Sequence, residues 1–203
     1  LYICMIKNPN PVAKNVTPRL SDAAFIREKV PMTKEEIRHV SICKLHLTSD
    51  SVLYDVGSGT GSIAVEAASL SDDMEVYAIE QKENAVQLIT QNKEKHGLEN
   101  IHVINAKAPD GMDILPVPTH AFIGGSSGNL KEIIEALKAK NPHIRIVINA
   151  ISMETICEIK EILSAYDVKN EDIVQLQVSR SKQIGHYHLM QAENPVWICS
   201  FEF

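Results

Sequence analysis

Tyr54-Asp55-Val56-Gly57-Ser58-Gly59-Thr60-Gly61 places three alternate glycines directly behind an apolar segment and directly ahead of a helical one. Val52 to Val56 reads as a buried strand. Residues 62–70 carry Ile63, Ala64, Ala67, Ala68 and Leu70 at helical spacing, so the glycines occupy a strand-to-helix junction. There a backbone without side chains can approach a ligand closely, and the helix N-terminus offers unpaired N–H groups. The stretch is a nucleotide-cradling turn.

Small offsets decide which nucleotide. A dinucleotide fingerprint has its last glycine where this chain has Ser62, so the third glycine comes one residue early. Asp55, two residues before the first glycine, would repel a pyrophosphate but suits a cation. S-adenosylmethionine carries an ammonium and a sulfonium and no phosphate, so an acidic residue here favours it electrostatically. Further on, Val76-Tyr77-Ala78-Ile79 reads as a second apolar strand ending in Glu80, whose carboxylate can accept from both ribose hydroxyls.

Working outward, strand and helix alternate. Thr33-Lys34-Glu35-Glu36 is a capping-box pattern that predicts a helix to about Leu45, with Ile37, Val40 and Ile42 apolar. Lys82 to Lys95 reads as a helix stopped at Gly97, Ile101 to Asn105 as a strand, and Ala121 to Ile123 as a short strand opening onto Gly124-Gly125-Ser126-Ser127-Gly128. Asn129 to Lys140, Arg145 to Asn149 and Met153 to Tyr166 continue as helix, strand, helix, and two final strands, Ile173 to Val178 and Val196 to Phe203, bracket a polar segment. Seven strands interleaved with helices predict an α/β fold with a mostly parallel, doubly wound sheet whose ligands sit outside the carboxyl ends of the strands. Gly57 to Gly61, Glu80, Ala106 to Pro109, Gly124 to Gly128 and Asn149 follow the first five strands and so converge on one rim.

The 203 residues, 44% of them hydrophobic, suit one domain with a sizeable core. No apolar run approaches the roughly 20 residues that cross a bilayer, and no signal-peptide order stands at the start, so a cytoplasmic location is expected. A net charge of −6 argues against a surface built for polyphosphate. Cys4, Cys43, Cys157 and Cys199 lack Cys-x-x-Cys spacing, and His186-Tyr187-His188 lacks a third ligand, so neither a disulfide framework nor a metal site is expected. Leu1 to Ile6 reads as a strand and residues 7–20 as a proline-rich linker, with a single α/β domain over residues 21–203. The strand is either the end of an upstream domain or an edge strand of this one.

Strand, Asp, glycines, helix, strand and Glu in this order resemble the class I S-adenosylmethionine-dependent methyltransferases. Phe25-Ile26-Arg27, the run Val30 to Arg38, Ala108-Pro109, Phe122-Ile123-Gly124-Gly125-Ser126, the run Asn149 to Thr155, and Asn194-Pro195-Val196 narrow the likeness. Together they resemble the decarboxylating precorrin-6Y methyltransferases of cobalamin biosynthesis over residues 21–203. The resemblance implies methylation of carbon 15 of a corrin precursor, without or with cobalt, and loss of carbon dioxide from the ring C acetate. It also implies a homotetramer and, in some members, fusion behind a carbon-5 methyltransferase, of which residues 1–11 would be the exit. Thr33, Gly57, Ser58, Gly59, Thr60, Gly61, Glu80, Ala108 and Gly124 would contact S-adenosylmethionine, with Asp55 favouring its charge. The acidic residue usual before the Ala-Pro pair is Lys107 here, which removes an acceptor for the adenine amino group.

A corrinoid carries many carboxylates, so cations should line its site. Arg27, Lys29, Arg180, Lys182, His186 and His188 are the candidates, with residues 179–194 expected as a loop over the substrate. An RNA base methyltransferase is the alternative, though 5% aromatic content and the negative charge leave its stacking platform and basic face without support. A non-catalytic cofactor-binding module is the second.

Overall fold

The computed structural model describes residues 20–203. The expectations for the first strand and most of the linker lie outside the described residues. Five near-continuous apolar runs form parallel strands: β1 (Val52–Val56), β2 (Glu75–Glu80), β3 (Ile101–Asn105), β4 (His120–Ile123) and β5 (Arg145–Ala150). Such runs belong in strands covered on both faces. β6 (Lys169–Leu176) and β9 (Val196–Glu202) close the sheet antiparallel, giving the order β3-β2-β1-β4-β5-β9-β6. The order reverses between β1 and β4, which opens a crevice at their carboxyl ends.

Side chains alternate across the sheet. Tyr54 and Val56 meet α4 (Leu130–Lys140) and α5 (Met153–Ala165) through Ile133, Ile134, Leu137, Ile159 and Ile162. Leu53 meets the opposite layer, made by α1 (Glu35–Leu45), α2 (Ser62–Ala68) and α3 (Glu83–Lys95), through Ile37, Leu45, Ile63, Ala64, Ala67 and Ile89. Among the described residues no helix is long and apolar enough to cross a membrane.

Helix α1 departs from its expected form. Its N-cap is Lys34, not Thr33, and no side chain caps it. Its buried face is Ile37, Arg38, Ser41 and Leu45, while Val40 and Ile42 of the expected apolar positions are only partly buried against the core. The reason is Arg38, fully buried, which pairs with buried Glu66 of α2 and donates to the Leu20 carbonyl. It also donates to the Thr33 carbonyl at 2.7 Å and to Asp22 at 3.3 Å, and lies 4.7 Å from the Phe25 ring centre. One cation thereby ties residues 20–33 to two helices.

The segment expected as a loop over the substrate is a β-hairpin, β7 (Ser179–Ile184) and β8 (Tyr187–Ala192), exposed at every strand position. The two-residue turn Gly185-His186, with Gly185 at φ +61°, closes it. That glycine was the signal in the sequence. β6 also begins four residues ahead of its expected start at Ile173, because Lys169 and Asp172 pair with β9 despite being exposed.

Candidate active site

A cleft of about 650 Å³ opens at the carboxyl ends of β1 to β5. Its floor is the β1–α2 turn, pinned to β2 because Gly57 N–H and Ser58 N–H both reach the Ile79 carbonyl, at 2.9 and 3.3 Å. Glycine is required here for loop packing as well as for access. Gly57 has φ +69°, and a Cβ there would lie 2.4 Å from the Gly125 carbonyl oxygen; a Cβ on Gly59 would lie 2.9 Å from that of Pro31. At Gly125, by contrast, a Cβ would meet no protein atom within 4 Å and would project into free space.

Glu80 lines the cleft, and its carboxylate accepts from Gly59 N–H at 3.0 Å and Lys82 N–H at 2.9 Å. Two amides therefore orient it before any ligand arrives. Thr33, Gly57, Ser58, Gly59, Ala108 and Gly124 line the same cleft. The Ala108 carbonyl is 3.4 Å from Asn129 Nδ2, and the Ala108-Pro109 peptide is cis.

Asp55, Thr60 and Gly61 lie beneath the lining. Strand alternation puts Asp55 on the same face as Leu53, pointing at α2 and not into the cleft. Its Oδ2 accepts from Ser58 Oγ at 2.6 Å and Ala64 N–H at 3.2 Å, while Oδ1 is buried with no partner. Burial, partly offset by those two bonds, pushes its carboxyl up to about 7, and nearby Glu80 adds to the rise. The Thr60 hydroxyl is likewise buried without a partner. Asp55 thus holds the turn from below, and its expected direct approach to a ligand is corrected by the strand's own periodicity.

Buried Asn92 of α3 staples this turn to the N-terminal wall. Its amide donates to the Thr60 carbonyl at 2.9 Å and the Ile26 carbonyl at 2.8 Å, and its oxygen accepts from Ile26 N–H at 2.7 Å. Sequence reasoning missed it. The signal was a polar residue completing the buried stripe Ala85, Leu88, Ile89, Asn92 at helical spacing.

The expected cations do not line the cleft. Arg27 and Lys29 are exposed, and Lys182, His186 and His188 stand on the exposed hairpin. His186, six residues of extended strand from the hairpin base, is roughly 20 Å from it. Arg180 is engaged with Glu36 and Glu193. Lysines at strand ends take that place instead: Lys34, Lys82 and Lys107 line the cleft, and the last two have no ion-pair partner among the described residues. Ile151, exposed at the rim, and Asn149, which exchanges hydrogen bonds with Ser41, complete the far wall. Among the described residues no group of three or more His, Cys, Asp or Glu side chains is placed to hold a metal ion.

An electroneutral-to-cationic cleft over a glycine turn, with an oriented carboxylate one strand away, can hold an adenosyl group and an anionic partner side by side. Similarity to known proteins gives the family. The family described as "Precorrin methyltransferase domain" matches residues 23–202. A relative from Pyrobaculum calidifontis, named probable cobalt-precorrin-6B C(15)-methyltransferase (decarboxylating), is 37% identical over 185 residues, spanning 90% of this chain and 94% of its own. The solved precorrin-6y C5,15-methyltransferase from Geobacter metallireducens superposes with a TM-score of 0.87 at 31% identity, covering 94% of this chain and 100% of that one. The precorrin 8W decarboxylase from Methanobacterium thermoautotrophicum gives 0.82 at 31% identity, covering 89% and 98%. With residues 23–202 matched by the family's model and 90% of its length aligned to a relative at 37% identity, the chain belongs to the precorrin methyltransferase family.

Proposed function

We propose that the chain is an S-adenosylmethionine-dependent methyltransferase acting at carbon 15 of a precorrin or cobalt-precorrin, with removal of the ring C acetate carboxyl as carbon dioxide, in cobalamin biosynthesis. The observation that carries this reading is likeness along nearly the whole chain to a relative named for that reaction. The residues fit the cofactor. Thr33, Gly57, Ser58, Gly59, Glu80, Ala108 and Gly124 would hold it, and when bound it supplies the activated methyl group. Glu80, already aligned by two amides, is suited to accept from ribose hydroxyls. Asp55 and Thr60 act from beneath, through the shape of the turn.

Loss of carbon dioxide leaves an electron pair that the conjugated macrocycle can take up, so the chemistry requires no protein nucleophile. The chain's part is to orient the reacting groups and exclude water, which in favourable cases is worth roughly 7–11 kcal/mol. Lys82 and Lys107, without an ion-pair partner among the described residues, are the lining cations that would meet the substrate's carboxylates, with Lys34 beside Asp22 at the rim, in place of Arg27, His186 and His188. Homotetramer formation belongs to the same reading; exposed Ile184, Tyr187, Leu189 and Met190 on the hairpin support it. Incubation with methyl-labelled S-adenosylmethionine, a panel of corrinoid precursors and bulk tRNA tests the proposal. Label should enter a corrinoid with release of carbon dioxide, and label in tRNA alone would establish the RNA alternative.

A further inference from the structure

A chain of ion pairs runs along the rim of the cleft. Lys34 Nζ lies 3.5 Å from Asp22 Oδ2, which is 4.0 Å from Arg180 Nη2. Arg180 Nη2 also pairs with Glu36, and its Nε donates to Glu193 Oε1 at 3.0 Å. Arg180 and Glu193 sit at the base of the β7–β8 hairpin, where Glu193 N–H meets the Val178 carbonyl at 2.8 Å. Glu193 lines the cleft; Arg180 does not.

Among the described residues, Glu80 and Glu193 are the acidic side chains of the lining. Glu80 is committed to two amides beside the glycine turn. Glu193 stands at the other end, with Asn149, Ile151 and Asn194, where a substrate bearing several carboxylates would meet an unwelcome negative charge. The guanidinium of Arg180 stands outside the lining, with its Nε donating to Glu193 and its Nη2 to Glu36. From there it cancels the charge of Glu193.

We infer that Arg180 is a specificity-determining positioning residue that acts through Glu193, presenting a neutral pair to the cleft so that a polyanionic substrate can enter beside it. The inference rests on the proposed corrinoid substrate. Glu36 and Asp22 hold Nη2 of the guanidinium while its Nε donates to Glu193.

The test is a double-variant cycle with Arg180→Gln, Glu193→Gln and both together, reading kcat and KM for the corrinoid and the affinity for S-adenosylhomocysteine. Wild-type turnover comes first; its absence overturns the proposed function and this inference together. Given turnover, Arg180→Gln should raise KM about fivefold, the upper end for a partly exposed ion pair, with kcat and S-adenosylhomocysteine affinity little changed. The rise should shrink as salt is added. Glu193→Gln should leave KM at or below the wild-type value, and the double variant should return to the Glu193→Gln value. A double variant as impaired as Arg180→Gln would show direct contact between Arg180 and substrate and overturn the inference. If Arg180→Gln does not fold, Glu193→Gln decides alone, because a raised KM there overturns it and an equal or lowered one upholds it.

Discussion

Asp55 makes the stability of the fold depend measurably on pH. Its carboxyl is buried, Oδ1 has no partner, and its ordinary value of 3.8 is pushed up to about 7, chiefly by burial. A folded-state value above the unfolded one means that folding takes up a proton between about pH 4 and 7. Stability from this group is therefore fully present below pH 4, falls as pH rises through that window, and above pH 7 the folded state carries the whole cost of a buried charge. A rise from 3.8 to about 7, at roughly 1.4 kcal/mol for each pH unit, is on the order of 4 kcal/mol. Asp55→Asn removes the charge but keeps an oxygen to accept from Ser58 Oγ and Ala64 N–H. The new amide nitrogen replaces orphaned Oδ1 and stays unsatisfied, a penalty of about 1–3 kcal/mol. The variant should then be about 1–3 kcal/mol more stable at pH 8.5, some 2–4 °C in melting temperature per kcal/mol for a domain of this size. Thermal melts of both proteins at pH 5 and pH 8.5 measure it, because the titration of every other group cancels in the difference. The advantage should vanish or reverse at pH 5. An Asp55→Asn protein that melts below the wild type by the same margin at both pH values would falsify the assignment of a buried, unpaired carboxylate.

Three other variants probe the glycine turn and the buried arginine. Gly57→Ala combines a left-handed backbone, costing about 1–2 kcal/mol for a residue with a Cβ, with a methyl placed 2.4 Å from the Gly125 carbonyl, which overpacks the turn by about 1–3 kcal/mol. Calorimetry should show S-adenosylhomocysteine binding weakened at least about tenfold, whereas Gly125→Ala, whose Cβ meets no protein atom, should melt like the wild type. Arg38→Leu leaves Glu66 buried with His39, 2.7 Å away, as its remaining partner, and should cost about 3–5 kcal/mol in denaturant unfolding. Hydrogen exchange should rise in residues 20–33 before the sheet itself opens.

The α/β order, the glycine turn and Glu80 were legible because each is written in contiguous residues with a period of two or 3.6. The hairpin was missed because its strands are exposed on both faces and carry no clean apolar–polar alternation, so that Gly185 is the signal that announces the turn. The cleft cations were misassigned for a related reason. Arg180 and His186 are conspicuous in sequence, while Lys82 looks like an ordinary surface lysine and Lys107 stands out only as a lost acceptor for the adenine, until the strand ends beside them are brought to one rim.

By itself the sequence determined the doubly wound architecture and the place of the glycine turn, since local spacing and strand-end glycines are properties of short segments, and its motifs together carried the family resemblance. Only the tertiary structure decided that Asp55 faces helix α2, that Arg38 and Asn92 are the buried fasteners of the N-terminal wall, and that Arg180 answers to Glu36 and Glu193. Those assignments join residues up to 144 positions apart. A polar side chain's role depends on which partner reaches it after the chain has closed, and no local pattern carries that information.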